Sequence, residues 1–203
     1  PTTLRTWVVG RDYPVADGTR QFRPLIEPAS SAPVVLSFWN LVEAHVLRSL
    51  RQEHAVALKE LRKAIAYAEK RLDIKRLLLS RELRAHAGEV LIEHYGELIS
   101  LSVSGQLAMR ELLSAHLDRV EWGKWEFPVR LYPFLSSTLI EKDRSITIDP
   151  QIAFGRPVVS SRNISTAAIA ARIDAGETLE ELAEDYELSV EELRQAVVYE
   201  HAA

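Results

Sequence analysis

Six histidines and a cluster of carboxylates are the side chains of this 203-residue chain that could support catalysis or bind a metal. No two histidines lie three or four residues apart on one helix face, so a helical pair of metal ligands is absent. His45 and His116 lie on or near apolar faces and are expected to be core residues. Glu93 and His94 are predicted to point to opposite sides of a strand, which argues against a shared site.

The densest acidic cluster lies near the C-terminus, and a nuclease could use such carboxylates to hold a divalent metal. It consists of Glu180, Glu181, Glu184 and Asp185. Thr178 and Glu181 form a predicted capping box, and acids in the first turn of a helix complement the helix dipole. A solvated helix face is the preferred interpretation, and a metal-dependent nuclease remains an alternative.

The composition excludes several other kinds of site. There is no cysteine, so disulfides, thiolate metal ligands and cysteine nucleophiles are ruled out. The sequence has no glycine-rich phosphate loop, no Gly-x-Ser-x-Gly elbow and no His-Glu-x-x-His motif. We therefore expect a protein that is not an enzyme and has no catalytic residue, metal or cofactor. Without a long apolar run or a signal peptide, it is expected to be cytoplasmic, with no membrane partner.

Charge is distributed unevenly along the chain, although the net charge is only −4. Up to Ile140 the chain has 19 Lys and Arg residues and 16 Asp and Glu residues, whereas from Glu141 onward it has 6 and 13. Phosphate binding is therefore expected in the basic front. Ordinary variation between small domains would explain the asymmetry equally well.

The first residues combine short polar and basic side chains on a predicted helix that Gly10 ends. A DNA recognition helix needs such side chains in its first turns, where it meets base edges and phosphates. Leu4 and Trp7 are free to face the core. The residues of this helix expected to contact DNA are Thr2, Thr3, Arg5 and Thr6.

A polar loop follows this helix, and residues 21–26 after it are predicted to be extended. The loop before the extended segment is expected to be hairpin-like. Basic residues on such a flexible loop can contact the DNA backbone, as the wing of a winged helix does. A capped surface helix followed by an ordinary polar loop would show the same spacing. The residues of the wing expected to contact DNA are Arg11, Arg20, Gln21 and Arg23.

Apolar spacing predicts the elements of the middle of the chain. One helix is expected to begin after Ser37, and a second carries an apolar face over residues 58–72. Two strands are predicted over residues 90–94 and 98–102, joined by a turn at Gly96. A further helix is predicted over residues 106–120.

The rear of the chain has the clearest helix boundaries. Short strands are predicted at residues 146–148 and 158–159, and three helices follow, of which Gly176 closes the first. The second and third helices are close enough to form a helix-turn-helix. The helix caps are Ser165, Thr178 and Ser189. The shared core is expected to contain Ile169, Ile173, Leu182, Tyr186, Leu188, Leu193 and Val197.

The front resembles the MerR-type winged helix. The resemblance rests on Thr3-Leu4-Arg5-Thr6-Trp7, on residues 22–26 and on the two predicted helices that follow, the second of which contains residues 58–62. It implies that the first helix is the recognition helix, that an Arg-containing strand closes the wing and that the later helices form a sleeve. The preceding helix of that fold would lie before Pro1. The elements predicted over residues 90–120 are not part of that family.

The rear resembles a small bacterial domain of unknown function that occurs in antitoxins of type II toxin–antitoxin pairs. The resemblance rests on residues 148–150, 154–159, 164, 175–177 and 182–188. The usual Arg-Gly-Thr-Arg after the valines is replaced by Ser160-Ser161-Arg162-Asn163, so contacts made by that motif are not carried over. With residues 37–45 added, the whole chain resembles long VapB-type antitoxins of actinobacteria.

The resemblance to VapB-type antitoxins implies two functions. The front would bind the operator DNA of its own operon as a repressor, and the remainder would neutralise a toxin, a PIN-type ribonuclease. A homodimer is implied, because a two-fold protein reads a two-fold operator. The alternative is a stand-alone MerR-like regulator without a toxin, whose ligand pocket lies in residues 90–120. The residues expected to bind the toxin are Arg156, Arg162, Glu184, Asp185 and Tyr199.

The expected fold class is mainly α with short β-hairpins, an α+β fold. It consists of a MerR-like winged helix-turn-helix followed by a small three-helix, helix-turn-helix-like domain. The predicted parts are a DNA-binding region over residues 1–84, a hairpin-plus-helix extension over 85–134, a linker over 135–144 and a small tri-helical antitoxin domain over 145–203.

Overall fold

The chain divides into two compact units. The first comprises Pro1–Leu117 and Lys124–Phe127, and the second comprises Asp118–Gly123 and Pro128–Ala203. Helices dominate both units and the sheets are small and antiparallel, so the expected α+β fold class is confirmed. The computed structural model of the chain describes residues 2–15, 18–22, 24–50, 58–133 and 144–202.

The first unit begins with a helix and a hairpin, as predicted. Helix α1 (Thr2–Val8) ends at Gly10, whose φ of +83° suits a residue without a side chain. Strands β1 (Arg11–Val15) and β2 (Gly18–Phe22) then pair antiparallel. A second, shorter hairpin of β3 (Ser30–Ser31) and β4 (Val34–Val35) follows.

Two helices predicted from apolar spacing are confirmed. Helix α2 (Phe38–Ser49) is capped by Ser37, and the partner in its capping box is Asn40. Helix α3 (Leu58–Leu72) buries one face in the core. The residues of that face are Leu61, Ala64, Ile65 and Ala68.

The prediction of two strands and a turn over residues 90–102 is wrong. Two short 3-10 turns, Leu77–Leu79 and Arg81–Arg84, lead into helix α4 (His86–Leu98), and helix α5 (Val103–Leu117) follows. The run of β-branched and aromatic residues that indicated strands is explained by burial, since α4 packs between α3 and α5. Consequently Glu93 and His94 are neighbours on a helix, not opposite sides of a strand.

The two glycines of α4 allow the helix to pack closely against its neighbours. A Cβ at Gly88 would lie 2.1 Å from the backbone oxygen of Leu83. A Cβ at Gly96, the residue predicted to form a turn, would lie 2.8 Å from Cδ of Gln106 in α5. Both glycines therefore permit close packing rather than a reversal of the chain.

The second unit begins with a hairpin of β5 (Val120–Trp122) and β6 (Pro128–Leu131). Val120, expected at the end of the preceding helix, lies in β5 because α5 ends at Leu117. A three-stranded antiparallel sheet follows, formed by β7 (Ile146–Thr147), β8 (Val158–Val159) and β9 (Ile164–Ser165). Leu131 and Ile148 join β6 to the end of β7 by two backbone hydrogen bonds of 3.0 and 2.8 Å. Residues 134–143, most of the expected linker, lie outside the described residues.

Three helices complete the second unit, as predicted: α6 (Thr166–Asp174), α7 (Leu179–Tyr186) and α8 (Val190–Ala202). The capping boxes of Thr178 with Glu181 and of Ser189 with Glu192 are both present. Ser165 occupies the predicted cap position of α6, but its side chain makes no capping hydrogen bond. The predicted core is confirmed, and Ile146, Val159 and Ala196 complete it.

Candidate functional site

Helix α1 is amphipathic and presents Arg5 to solvent. Trp7 and Val8 are buried, Leu4 is half-buried, and Arg5 is exposed. Trp7 therefore faces the core as expected. Thr6 is half-buried, while Thr2 and Thr3 lie in the first turn of the helix. The helix is thus anchored by its buried residues and carries one exposed cation.

The hairpin after α1 places most of the predicted wing residues on two paired strands. Arg11 pairs with Phe22, and Arg20 pairs with Tyr13. Gln21 is the next residue of the same strand, opposite Asp12. Arg23 lies outside the described residues. By backbone position, the hairpin therefore carries two of the predicted arginines and the glutamine.

The backbone holds the end of this hairpin against the end of α1. The carbonyl oxygen of Trp7 accepts hydrogen bonds from the amides of Leu25, at 2.7 Å, and Ile26, at 3.0 Å. Ile26 is fully buried, so this junction is part of the core of the first unit. A helix with an exposed cation and a hairpin tied to its C-terminal end can present polar and basic groups to one nucleic-acid backbone.

Two of the predicted partner-binding residues are engaged by other side chains of the second unit. Nη2 of Arg162 lies 2.7 Å from Oε2 of Glu187, and Nη2 of Arg172 lies 2.6 Å from Oδ2 of Asp185. Arg172 also donates two hydrogen bonds to Glu177, and its guanidinium lies 5.1 Å from the ring centre of Tyr186. Asp185 is thus a member of an ion-pair cluster on the surface.

The same cluster shifts the pKa of two of its members, Arg172 and Glu177. The hydrogen bonds from Arg172 lower the pKa of Glu177 below its ordinary value. The pKa of Arg172 is raised, first by Glu177 and then by Tyr186 and Asp185. Both groups therefore stay charged over a wide pH range, and the cluster supports the start and end of α7.

The remaining predicted partner residues lie on separate elements. Glu184 is exposed on α7, and Arg156 is exposed on the loop before β8. Tyr199 on α8 is half-buried, and that burial raises its pKa. The backbone oxygen of Pro157 accepts from Thr166, whose hydroxyl donates to Glu200. Thr166 therefore connects Pro157, which follows Arg156, with Glu200, which follows Tyr199.

One surface residue that the sequence did not single out is Phe154. Its side chain is 99% exposed, and it lies in a turn where Ala153, Phe154 and Gly155 all have positive φ. The sequence signal was a bulky apolar residue directly before a glycine in a turn.

The two histidines predicted to be core residues lie in or near the core, and the acidic cluster contains its predicted cap. His116 is buried and His45 is half-buried, with ring centres 4.8 Å apart. In the acidic cluster Glu181 accepts hydrogen bonds from its capping partner Thr178, as expected. Among the described residues, no group of three or more His, Asp and Glu side chains is arranged to hold a metal ion. In that same part of the chain, no helix is long and apolar enough to cross a membrane.

Comparison with known proteins relates both parts of the chain to other proteins. Residues 146–199 match the model of a family described as proteins of unknown function, DUF433. The chain is 25% identical over 214 residues to VapB45, a protein of Mycobacterium tuberculosis (strain ATCC 25618 / H37Rv) named as a candidate antitoxin. That alignment covers 96% of this chain and 85% of VapB45.

The fold is shared with a solved structure. The crystal structure of Rv2018 from Mycobacterium tuberculosis superposes with a TM-score of 0.71, at 21% sequence identity. The superposition covers 97% of this chain and 90% of the Rv2018 chain. The chain thus has the fold of that mycobacterial protein, its rear matches the DUF433 model, and its sequence is similar to the candidate antitoxin VapB45.

Proposed function

We propose that the protein is the antitoxin of a type II toxin–antitoxin pair. It binds and neutralises a PIN-type ribonuclease toxin in the cytoplasm and represses its own operon. The observation that carries the proposal is the similarity to VapB45, which extends over 96% of the chain and thus over both compact units. An antitoxin acts by binding, so the protein would need no catalytic residues.

The DNA-binding part of the proposal is supported by the helix and hairpin at the start of the first unit. In a MerR-like arrangement, α1 enters the major groove, where Arg5 and Thr6 reach base edges together with Thr2 and Thr3. The hairpin lies along the flanking backbone and brings Arg11 and Arg20 to phosphates. Gln21 and Arg23 would extend that contact. A homodimer would place two such helices on a two-fold operator.

The toxin-binding part is supported by the charge of the rear. From Glu141 onward, acidic residues outnumber basic ones by 13 to 6. A ribonuclease needs a basic surface for its RNA substrate, and opposite charge accelerates encounter. We therefore assign residues 1–84 to DNA binding and residues 145–203 to the toxin, with the five predicted partner residues among its contacts.

The proposal is tested with the product of the reading frame next to this one. That product should arrest growth when expressed alone, and co-expression of the full chain should restore growth and give a stable complex. The chain should also bind its own promoter fragment more tightly than a scrambled duplex, with an affinity that falls steeply as salt rises. A chain that neither binds the neighbouring product nor prefers its promoter is not an antitoxin of this kind.

A stand-alone regulator is the second candidate, and one feature of the first unit favours it. A cleft of about 750 Å³ opens in that unit, within the size range of small-molecule sites, but its lining lies within residues 24–78 and not in residues 90–120, where the sequence predicts the ligand pocket. Two polar side chains of its wall already bond to each other, because both carboxylate oxygens of Glu43 accept hydrogen bonds from Arg76. The chain would then bind its promoter but not the neighbouring gene product. The residues that line this cleft include Leu25, Glu43, Ile65, Glu69 and Arg76.

A further inference from the structure

The turn between β7 and β8 displays a phenylalanine in a backbone conformation that side chains rarely adopt. The φ angles of Ala153, Phe154 and Gly155 are +47°, +58° and +77°. Residues with a Cβ avoid this left-handed region, and consecutive ones in it are uncommon. At 99% exposure, the Phe154 ring is the most exposed large apolar side chain of the described residues. The backbone is thus strained in the very turn that holds an apolar ring in water.

Hydrogen bonds within the second unit hold this turn in place. The amide of Gly155 donates to the carbonyl of Ile152 at 2.9 Å, and that of Arg156 donates to Ala153 at 3.2 Å. At the base of the turn, the amides of Gln151 and Ile152 both bond to Asp149. The backbone that carries Phe154 is therefore held before any partner arrives, which lowers the part of the entropy cost of binding that comes from ordering the turn.

Phe154 and Arg156 together have the chemistry of a protein-binding anchor. Arg156 is exposed on the same loop, and none of the described residues forms an ion pair with it. Aromatic residues and arginine are the types most enriched among residues that dominate protein–protein binding energy. A nucleic acid is the less suitable occupant for this part of the chain as a whole, because residues 141–203 together carry 13 acidic and 6 basic residues.

We propose that the turn of Ala153–Gly155 is the anchor by which this chain docks on its toxin. The Phe154 ring enters an apolar pocket on that protein, and Arg156 pairs with a carboxylate at the rim of the pocket. The inference rests on the proposed antitoxin function and names the element that makes the toxin contact. It adds Phe154 to the predicted contact residues and makes it the dominant one.

The test uses the full chain and the purified product of the neighbouring reading frame. Phe154→Ala should raise the dissociation constant of that complex by about 30-fold or more, as expected for a binding hot spot. Arg156→Ala should weaken the complex by a smaller factor. Because Phe154 is exposed, neither the urea midpoint nor promoter binding should change in the Phe154 variant. The matched control is Trp125→Ala, which removes an aromatic ring that is 80% exposed in the other unit and should change the affinity less than about two-fold.

Each outcome bears on a different part of the hypothesis. If the unaltered chain does not bind the neighbouring product, the proposed function and the inference both fail. If it binds and Phe154→Ala binds equally well, or if Trp125→Ala is equally weakened, only the inference is overturned. A Phe154 variant that instead loses self-association, measured by light scattering, would assign the ring to a second copy of the chain. Loss of promoter binding alone would assign it to DNA.

Discussion

Arg130 on β6 donates two hydrogen bonds to one carboxylate oxygen of Asp149, from Nε at 3.2 Å and from Nη2 at 3.0 Å. The other oxygen of Asp149 accepts from the amide of Gln151 at 2.8 Å. The hydrogen bonds that Arg130 donates to Tyr132 and Asp149 raise the pKa of its guanidinium, which therefore stays charged. Strands β5 and β6, which belong to the second unit, therefore support the loop that carries Phe154.

The proposed recognition helix can be tested at Arg5. Arg5→Ala should weaken binding to the promoter fragment by about 1–3 kcal/mol, because an arginine at a base edge supplies affinity and sequence discrimination. The preference for the promoter over a scrambled duplex should fall with it. Fluorescence anisotropy titrations on both duplexes measure this. Arg194→Ala on α8 is the control, and an Arg5 variant with unchanged preference would contradict the assignment.

The proposed wing predicts a different result at Arg20. Arg20→Ala should weaken binding to the promoter and to the scrambled duplex by similar factors, since a phosphate contact is independent of sequence. The slope of log affinity against log salt should decrease in magnitude by about one. Titrations at four or more salt concentrations measure the slope. A slope equal to that of the unaltered chain would show that Arg20 does not contact DNA.

Two helix-cap residues of the second unit, Thr178 and Ser165, provide a matched pair of variants for a measurement of folding stability. Thr178→Ala should lower the free energy of unfolding by about 1 kcal/mol, because its hydroxyl accepts from the amide of Glu181 at 3.2 Å. Ser165→Ala should have a smaller effect, since Ser165 makes no capping hydrogen bond. Urea denaturation followed by circular dichroism gives both values. Equal losses would mean that the two caps are equivalent in solution.

Two glycines at the third position of their helices test the helical structure of residues 86–117. Gly88→Ala should destabilise the protein by several kcal/mol, because its Cβ would meet a backbone oxygen at 2.1 Å. Gly105→Ala should cost far less, since its nearest neighbour at 2.6 Å is the flexible side chain of Leu101 and alanine favours the helix. Thermal unfolding compares them. A tolerated Gly88→Ala would contradict the packing of α4 on Leu83.

The ion pair of Arg172 with Glu177 predicts a pH-dependent loss of stability. Because the folded pKa of Glu177 is lowered, its contribution is present at neutral pH and is lost as the pH falls through that pKa. Arg172→Ala should therefore lower the urea midpoint at pH 7, and the difference from the unaltered chain should shrink below about pH 4. Arg194→Ala, which removes an exposed pair with Glu191, should change little at either pH. A difference that is constant with pH would exclude the charge effect.

Local patterns were sufficient for the elements at the two ends of the chain. The capping boxes at Thr178 and Ser189, the helix end at Gly10 and the apolar face of α3 depend on residues within one or two turns of each other. Such short-range interactions are visible in the order of residues, and the structure confirms them. The DNA and toxin contacts predicted from the same patterns stay predictions.

The middle of the chain and the Phe154 turn depended on contacts distant in sequence. The run from Val90 has the composition of a strand, and only packing against α3 and α5 makes it a helix, since burial outweighs intrinsic propensity. Likewise, Arg130 meets Asp149 across 19 positions, and it is the folded loop that leaves Phe154 in solvent. Propensity acts between neighbours along the chain, whereas burial and exposure are properties of the assembled fold.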